Sequence, residues 1–193
     1  MTATVSQDRL HGYALDGGIL PVSEDRPQGG DALSRIETDM FRGAMRHHAK
    51  GVAIITAGVE IPAGFCVTSL ASISLDPPLV SFTVGLVAAS WGTMKKARYV
   101  MIHLLADGQE DLARRFARTD ALKFGPGTRW HRGFRGLPVL DDALAWLAAE
   151  PVSRLSAGDH ALVISQVIAV RSVTNARPLI HYNGTFTRLE QPA

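Results

Sequence analysis

Small hydroxyls crowd one stretch of the chain. Thr68, Ser69, Ser72 and Ser74 fall between Gly64 and the Pro77-Pro78 corner, in a region otherwise rich in apolar strand residues. Hydroxyls and free backbone N–H groups at a strand-to-loop junction can cradle a phosphate without a large net charge. The same hydroxyls can instead bond nearby backbone and do nothing else, which is the commoner arrangement. Ser90 opens a predicted short helix at Trp91-Gly92-Thr93 and adds a second point where unpaired N–H groups favour an anion. Simple N-capping by Ser90 is the plainer alternative. His160 follows Gly158-Asp159 directly before an apolar run, a turn position from which an imidazole can donate a proton, touch a ligand or merely stand in solvent. His47 and His48 are neighbours on a predicted helix and point ~100° apart, so they cannot share a metal. The single cysteine, Cys66, allows neither an internal disulfide nor a thiolate zinc site. No HExxH pair, Gly-x-Ser-x-Gly elbow or phosphate-loop lysine is present.

The elements that must position these groups are mostly strands. Val52–Thr56 is β-branched and apolar, Ile73–Leu75 is short, and Leu79–Val84 sets Val80, Phe82 and Val84 on one face. Tyr99–Leu105 and Ala161–Val173 complete the strong candidates. Helical spacing marks Glu37–Lys50, which Gly51 is expected to stop, and Gln109–Arg118, with Leu112, Ala113 and Phe116 on its apolar face. Asp141–Glu150 also reads as helix, ended by Pro151. Many short strands without a strand–helix rhythm argue against a doubly wound sheet, and no Gly-rich dinucleotide fingerprint follows the first strand. A small antiparallel barrel fits better.

Composition narrows the class. The 193 residues are 46% hydrophobic and 20% charged, enough apolar material for one core. A net charge of +2 gives no electrostatic footprint for nucleic acid or an anionic membrane. The longest apolar run, Leu79–Ala89, is far shorter than the ~20 residues of a membrane helix. Residues 1–33, broken by Gly17-Gly18 and Gly29-Gly30, read as a loosely ordered extension without a targeting signal, and residues 34–193 as a single domain. A cytoplasmic enzyme or binding protein remains.

Taken in order, several segments resemble the flavin reductase family that serves two-component monooxygenases. They are Gly51–Thr56, Gly64–Val80, Leu104-Leu105 with Gln109, Arg115-Phe116-Ala117, Lys123-Phe124, Gly136–Leu140, Gly158-Asp159-His160, and Pro178-Leu179-Ile180 with Gly184. No single piece is specific, but the ordered set is. The resemblance spans roughly Met40 to Leu189. It implies a mainly β fold, a Greek-key split barrel with a few flanking short helices, and a homodimer with flavin at the seam. It further implies hydride transfer from NADH or NADPH to FMN or FAD, the reduced flavin diffusing to a partner monooxygenase.

By the same resemblance, Thr68 and Ser69 face the flavin phosphate, Ser74, Leu75 and Asp76 lie along the isoalloxazine, and Ser90 and Thr93 hold the phosphate. Cys66, Val67, Phe124 and Tyr182 complete the flavin contacts, and His160 stands on the nicotinamide side as the candidate catalytic group. A strand is implied through about Trp146–Arg154, against the helical spacing there. Cys66 stands where the family often has Thr, and His103 where Asn is usual. The alternative is a non-catalytic split-barrel protein that holds a flavin.

Overall fold

The computed structural model describes residues 38–172 and 176–189; the extension expected over 1–33 lies outside them. Twelve strands are assigned among the described residues. The main sheet contains β2 (Ala53–Ala57), β3 (Ala63–Val67), β4 (Ala71–Leu75), β5 (Pro78–Gly85), β6 (Val100–Leu104), β9 (Ala145–Ala157) and β10 (His160–Ser172). Their order is β3-β2-β6-β9-β10-β5-β4, and every neighbouring pair is antiparallel. The chain leaps across this sheet from β3 to β4 and from β5 to β6, as a Greek key requires.

Alternation along β5 explains why the sheet curls. Val80, Phe82 and Val84 are buried while Ser81 and Thr83 between them are not. Their apolar face meets Ala53 and Ile55 of β2, Phe65 and Val67 of β3, Ile102 of β6 and Val163 of β10 in one core. The ring centroids of Phe65 and Phe82 lie 6.3 Å apart although β3 and β5 share no ladder. The sheet has therefore closed on itself by side-chain packing and left a seam without backbone pairing. This is the expected split barrel.

Short elements cover the outside. Helix α3 (Glu110–Ala117) lays Ala113 and Phe116 on the outer face of β2 and β3. It can come that close because residue 64 is Gly: a Cβ there would stand 2.7 Å from the Phe116 ring. A second sheet joins β1 (Lys50–Gly51), β11 (Leu179–Tyr182) and β12 (Thr185–Arg188). A hairpin of β7 (Trp130–Arg132) and β8 (Pro138–Leu140) closes the outer side of β6 and β9. His103 ties that hairpin to the barrel: fully buried on β6, it donates from Nδ1 to the Ile54 carbonyl at 3.1 Å, while Nε2 accepts from the Leu140 N–H at 3.1 Å.

Three expectations are corrected. Residues 145–157 form a strand, not the helix that the spacing of Leu144, Leu147 and Ala148 suggests. This strand lies between β6 and β10, and Ala145, Ala148 and Ala149 are buried, so no clean alternation survives in the sequence. Pro151 ends nothing: it sits where the β9–β10 register shifts, the kind of irregularity at which a strand tolerates proline. The first helix, α1 (Thr38–Arg46), stops before His47 and His48, and Gly51 is not its cap but pairs with Ile180 in β1. Ser90 precedes α2 (Trp91–Met94) yet makes no side-chain capping bond.

Candidate functional site

A cavity of about 310 Å³ opens at the barrel seam. One wall is the end of β3 and its exit: Cys66, Val67, Thr68 and Ser69. Facing it are Thr83 and Gly85 of β5 and the turn that leads through Ala88 to Ser90. The C-terminus of α3 and the following loop contribute Arg118, Thr119 and Lys123, and the start of β10 contributes His160. Residues expected at the flavin from three separate segments thus line one hollow: Cys66, Val67, Thr68, Ser69, Ser90 and His160.

The polar groups of this hollow differ in how they are engaged. Ser69 Oγ accepts from the Thr83 N–H at 3.0 Å and from the Thr83 hydroxyl at 2.9 Å, so it stitches the exit of β3 to β5 across the seam. Ser90 is 5% exposed, and its hydroxyl has no partner. A buried hydroxyl without a bond is costly, which marks it as a group kept for something it can bond. Lys123 donates one Nζ proton to the Gly64 carbonyl at 3.0 Å, leaving two donors for a ligand. Burial pulls its pKa below the usual lysine range. Burial pushes the Cys66 thiol up to about 11, opposed by the positive charge of Lys123, so the thiol stays protonated.

His160 is held from behind. It pairs with Gly85 across the β10–β5 ladder, and its Nδ1 lies 2.7 Å from Asp159 Oδ1. The bond to His160, aided by imidazolium charge, draws the Asp159 carboxyl below its usual range. With Nδ1 bound to the carboxylate, Nε2 is the nitrogen left for the cavity. The bend that permits this uses Gly158 at φ +63, and the Leu86 N–H donates to the Asp159 carbonyl at 3.0 Å.

The other expected residues stand elsewhere. Ser74, Leu75 and Asp76 lie at the exposed end of β4, with Leu75 90% exposed. Thr93 lines a neighbouring hollow of about 450 Å³ that shares Ser90 and Lys123 with the cavity. Phe124 lines that hollow too and packs edge-on against Phe116 and Trp130. Tyr182 sits at the end of β11, exposed. Sequence reasoning passed over Lys123, Arg118 and Thr119 as site residues. The signal was present at Lys123, inside a segment that resembles the family, but only the return of the loop over β3 shows that it faces Thr68 and Ser90.

The hollow lies at the seam of a split barrel, and residues 45–190 match the flavin reductase like domain. The chain belongs to that family. It is 36% identical over 153 residues to an NADH:FMN oxidoreductase of Rhodococcus erythropolis, covering 77% of this chain and 80% of that one. It is 31% identical over 170 residues to HsaB, the reductase subunit of a flavin-dependent monooxygenase of Rhodococcus jostii, covering 88% and 87%. The solved structure of the NADH:FAD oxidoreductase SgcE6 of Streptomyces globisporus, in complex with NAD and FAD fragments, matches with a TM-score of 0.77 at 27% identity, over 86% of this chain and 99% of that one.

Proposed function

We propose that this protein is an NAD(P)H:flavin oxidoreductase that reduces FMN or FAD and supplies the reduced flavin to a partner monooxygenase. The observation that supports it best is the orphaned Ser90 hydroxyl, buried in a hollow that also presents Thr68, Thr119 and two free Lys123 protons. That donor set suits the phosphate end of a flavin nucleotide. The flavin supplies the redox chemistry by accepting hydride from the reduced nicotinamide. The chain's own residues bind and orient. Ser90, Thr68 and Lys123 take the phosphate oxygens, while Ser69 keeps the seam at fixed width through Thr83. Val67 offers apolar wall, and the protonated Cys66 offers only a weak donor. His160, oriented by Asp159, presents Nε2 to the nicotinamide side, where it contacts the dinucleotide or offsets developing negative charge.

Residues 34–193 form one flavin reductase-like domain in this reading, and the protein is a cytoplasmic homodimer. Support for a second copy comes from α1. None of its residues is buried, yet Met40, Phe41 and Met45 form an exposed apolar face on a helix that needs a partner surface. Ser74, Leu75 and Asp76 at the open end of β4, with Thr93, Phe124 and Tyr182, are assigned to the outer part of the flavin site. No helix among the described residues is long and apolar enough to cross a membrane.

The test is the oxidation of NADH and of NADPH with FMN and FAD as acceptors, followed spectrophotometrically, together with sedimentation. Flavin-dependent oxidation well above the uncatalysed rate is expected, from a dimer. A folded protein that binds FMN but oxidises neither nicotinamide would establish the non-catalytic alternative. A fully active monomer at micromolar concentration would refute the dimer.

A further inference from the structure

The Ser90 hydroxyl bonds nothing, so its place in the cavity wall is set by whatever holds the chain that carries it. Helix α2 is a single turn, too short to persist by its own hydrogen bonds, and it depends on what it packs against and bonds to. On its inner side Met94 is buried in the barrel core, with Trp91 and Ala97 packed against the same core. At its C-terminal end one side chain reaches it from the sheet. Arg154 Nη2 donates to the Ala97 carbonyl at 2.7 Å and, more weakly, to the Met94 carbonyl at 3.4 Å. The Met94 N–H in turn donates to the Ser90 carbonyl at 3.0 Å. Two successive bonds thus join Arg154 to the residue that bears the orphaned hydroxyl.

Arginine is a costly choice for that position. Arg154 stands on β9 opposite Val163, so its side chain leaves the sheet on the face that carries the barrel core. Its Nε is buried without a partner, and among the described residues it takes part in no ion pair. Burial pulls its pKa below the usual arginine range, with no carboxylate to oppose the effect. A half-buried cation that faces no anion is destabilising unless other groups bond it, and here those groups are the last carbonyls of a helical turn, which attract positive charge. Packing alone does not fix α2 on this side. A cleft of about 190 Å³ separates Trp91 and Arg154 from Leu86 and Ala161, which leaves the turn room to shift once the guanidinium is removed.

We propose that Arg154 is a positioning residue for the flavin phosphate: it holds α2 by its C-terminal carbonyls and so keeps the Ser90 hydroxyl in the cavity wall. Arg154 itself lines neither the seam cavity nor the hollow beside it, so it acts through Ser90 and touches no ligand. The proposal rests on the reading of Ser90 as a phosphate ligand. Its effect on binding is confined to ligands that carry the phosphate, and it vanishes when residue 90 has no hydroxyl to place.

The experiment titrates FMN and riboflavin, by flavin fluorescence, into the full-length parent, Arg154→Met, Ser90→Ala and the variant with both changes, beside a thermal melt of each. Met keeps much of the length of the side chain and removes every donor. Arg154→Met is expected to weaken FMN about ten-fold and riboflavin by no more than about two-fold. In the Ser90→Ala background the same change is expected to weaken FMN by no more than about two-fold further, the mark of one residue acting through another. Equal weakening of FMN and riboflavin, whatever the melting temperature does, would make Arg154 a part of the fold only and overturn the proposal. A loss that multiplies in full with that of Ser90→Ala would overturn it too. Should Arg154→Met fail to fold, Arg154→Lys, which keeps the charge on a shorter reach, is judged by the same criteria with about a three-fold loss of FMN affinity expected. If Ser90→Ala itself leaves FMN binding unchanged, the phosphate reading has failed and the proposal falls with it. If Ser90→Ala weakens FMN and Arg154→Met does not, the proposal alone falls.

Discussion

Replacing Ser90 by Ala separates two roles that its position at a helix start would otherwise confuse. A capping serine lost from α2 would cost about 1 kcal/mol of stability. Here the hydroxyl bonds nothing and is buried, so its removal instead relieves an unmet desolvation penalty of about 1–3 kcal/mol, offset in part by the small void left behind. The melting temperature of Ser90→Ala should therefore stay level or rise by a few degrees, at about 2–4 °C per kcal/mol for a chain of this size. Flavin affinity should move the other way. A hydrogen bond to a charged phosphate contributes about 1.5–3 kcal/mol, so FMN should bind roughly ten- to hundred-fold more weakly. Riboflavin, which lacks the phosphate, should bind as before. The assay is a fluorescence titration of both ligands beside a thermal melt. A lower melting temperature with equal weakening of FMN and riboflavin would refute the reasoning, because it would show that the hydroxyl supports the fold and not the ligand.

Three further outcomes follow from other residues. His103 has its pKa lowered to about 4, chiefly by burial against the help of its bond to the Ile54 carbonyl; with a folded pKa below the ordinary 6.5, its contribution is full above pH 6.5 and is lost as pH falls through 4, a span of roughly 3 kcal/mol. Protonation removes the acceptor for the Leu140 N–H, so His103→Asn should flatten the pH dependence of the melting temperature between pH 6.5 and 4, and an unchanged slope would show that another group sets it. Cys66, with its thiol raised to about 11 from an ordinary 9.0, should resist alkylation at pH 9 in the folded protein and react readily in denaturant; its contribution to stability is full below pH 9 and lost as pH rises through 11. His160→Asn should slow hydride transfer or raise the KM for NADH several-fold while flavin affinity and melting temperature hold, whereas a lower melting temperature with unchanged kinetics would make His160 a turn residue only.

What could be read in the sequence, and what could not, divides along physical lines. Val80, Phe82 and Val84 were legible because β5 has one face in the core and one toward solvent, so burial leaves a period of two. Residues 145–157 were not legible from periodicity, since the first half of the strand is covered on both faces: Leu147 and Ala149 meet the barrel core while Trp146 and Ala148 pack with Leu137 and Val139, so no polar face marks the alternation. Gly51 and Lys50 carry no strand signature either; they are extended because His181 and Ile180, far along the chain, supply the ladder.

The site divides in the same way. Thr68, Ser69 and Ser90 stood out by type, and their local neighbours could suggest a phosphate, yet an identical pattern would serve for bonds to nearby backbone. What separates the cases is long-range: Ser69 turned out to be engaged by Thr83 across the seam, while Ser90 was left without a bond. Lys123 is the sharper example. Its segment resembles the family, but nothing in its local sequence gives it a role at the site. Its position follows from α3 packing flat on Gly64, from Arg115 donating to the Pro126 carbonyl and the Thr128 hydroxyl, and from Thr128 donating to the carbonyl of Lys123 itself. Those bonds fold the loop back over β3 and carry the ammonium to the wall opposite Ser90. A positive charge so placed reports the ligand's sign more directly than the hydroxyls do, because hydroxyls bond neutral and anionic groups alike, whereas a lysine drawn below its usual pKa by burial gains most from an anion brought to it.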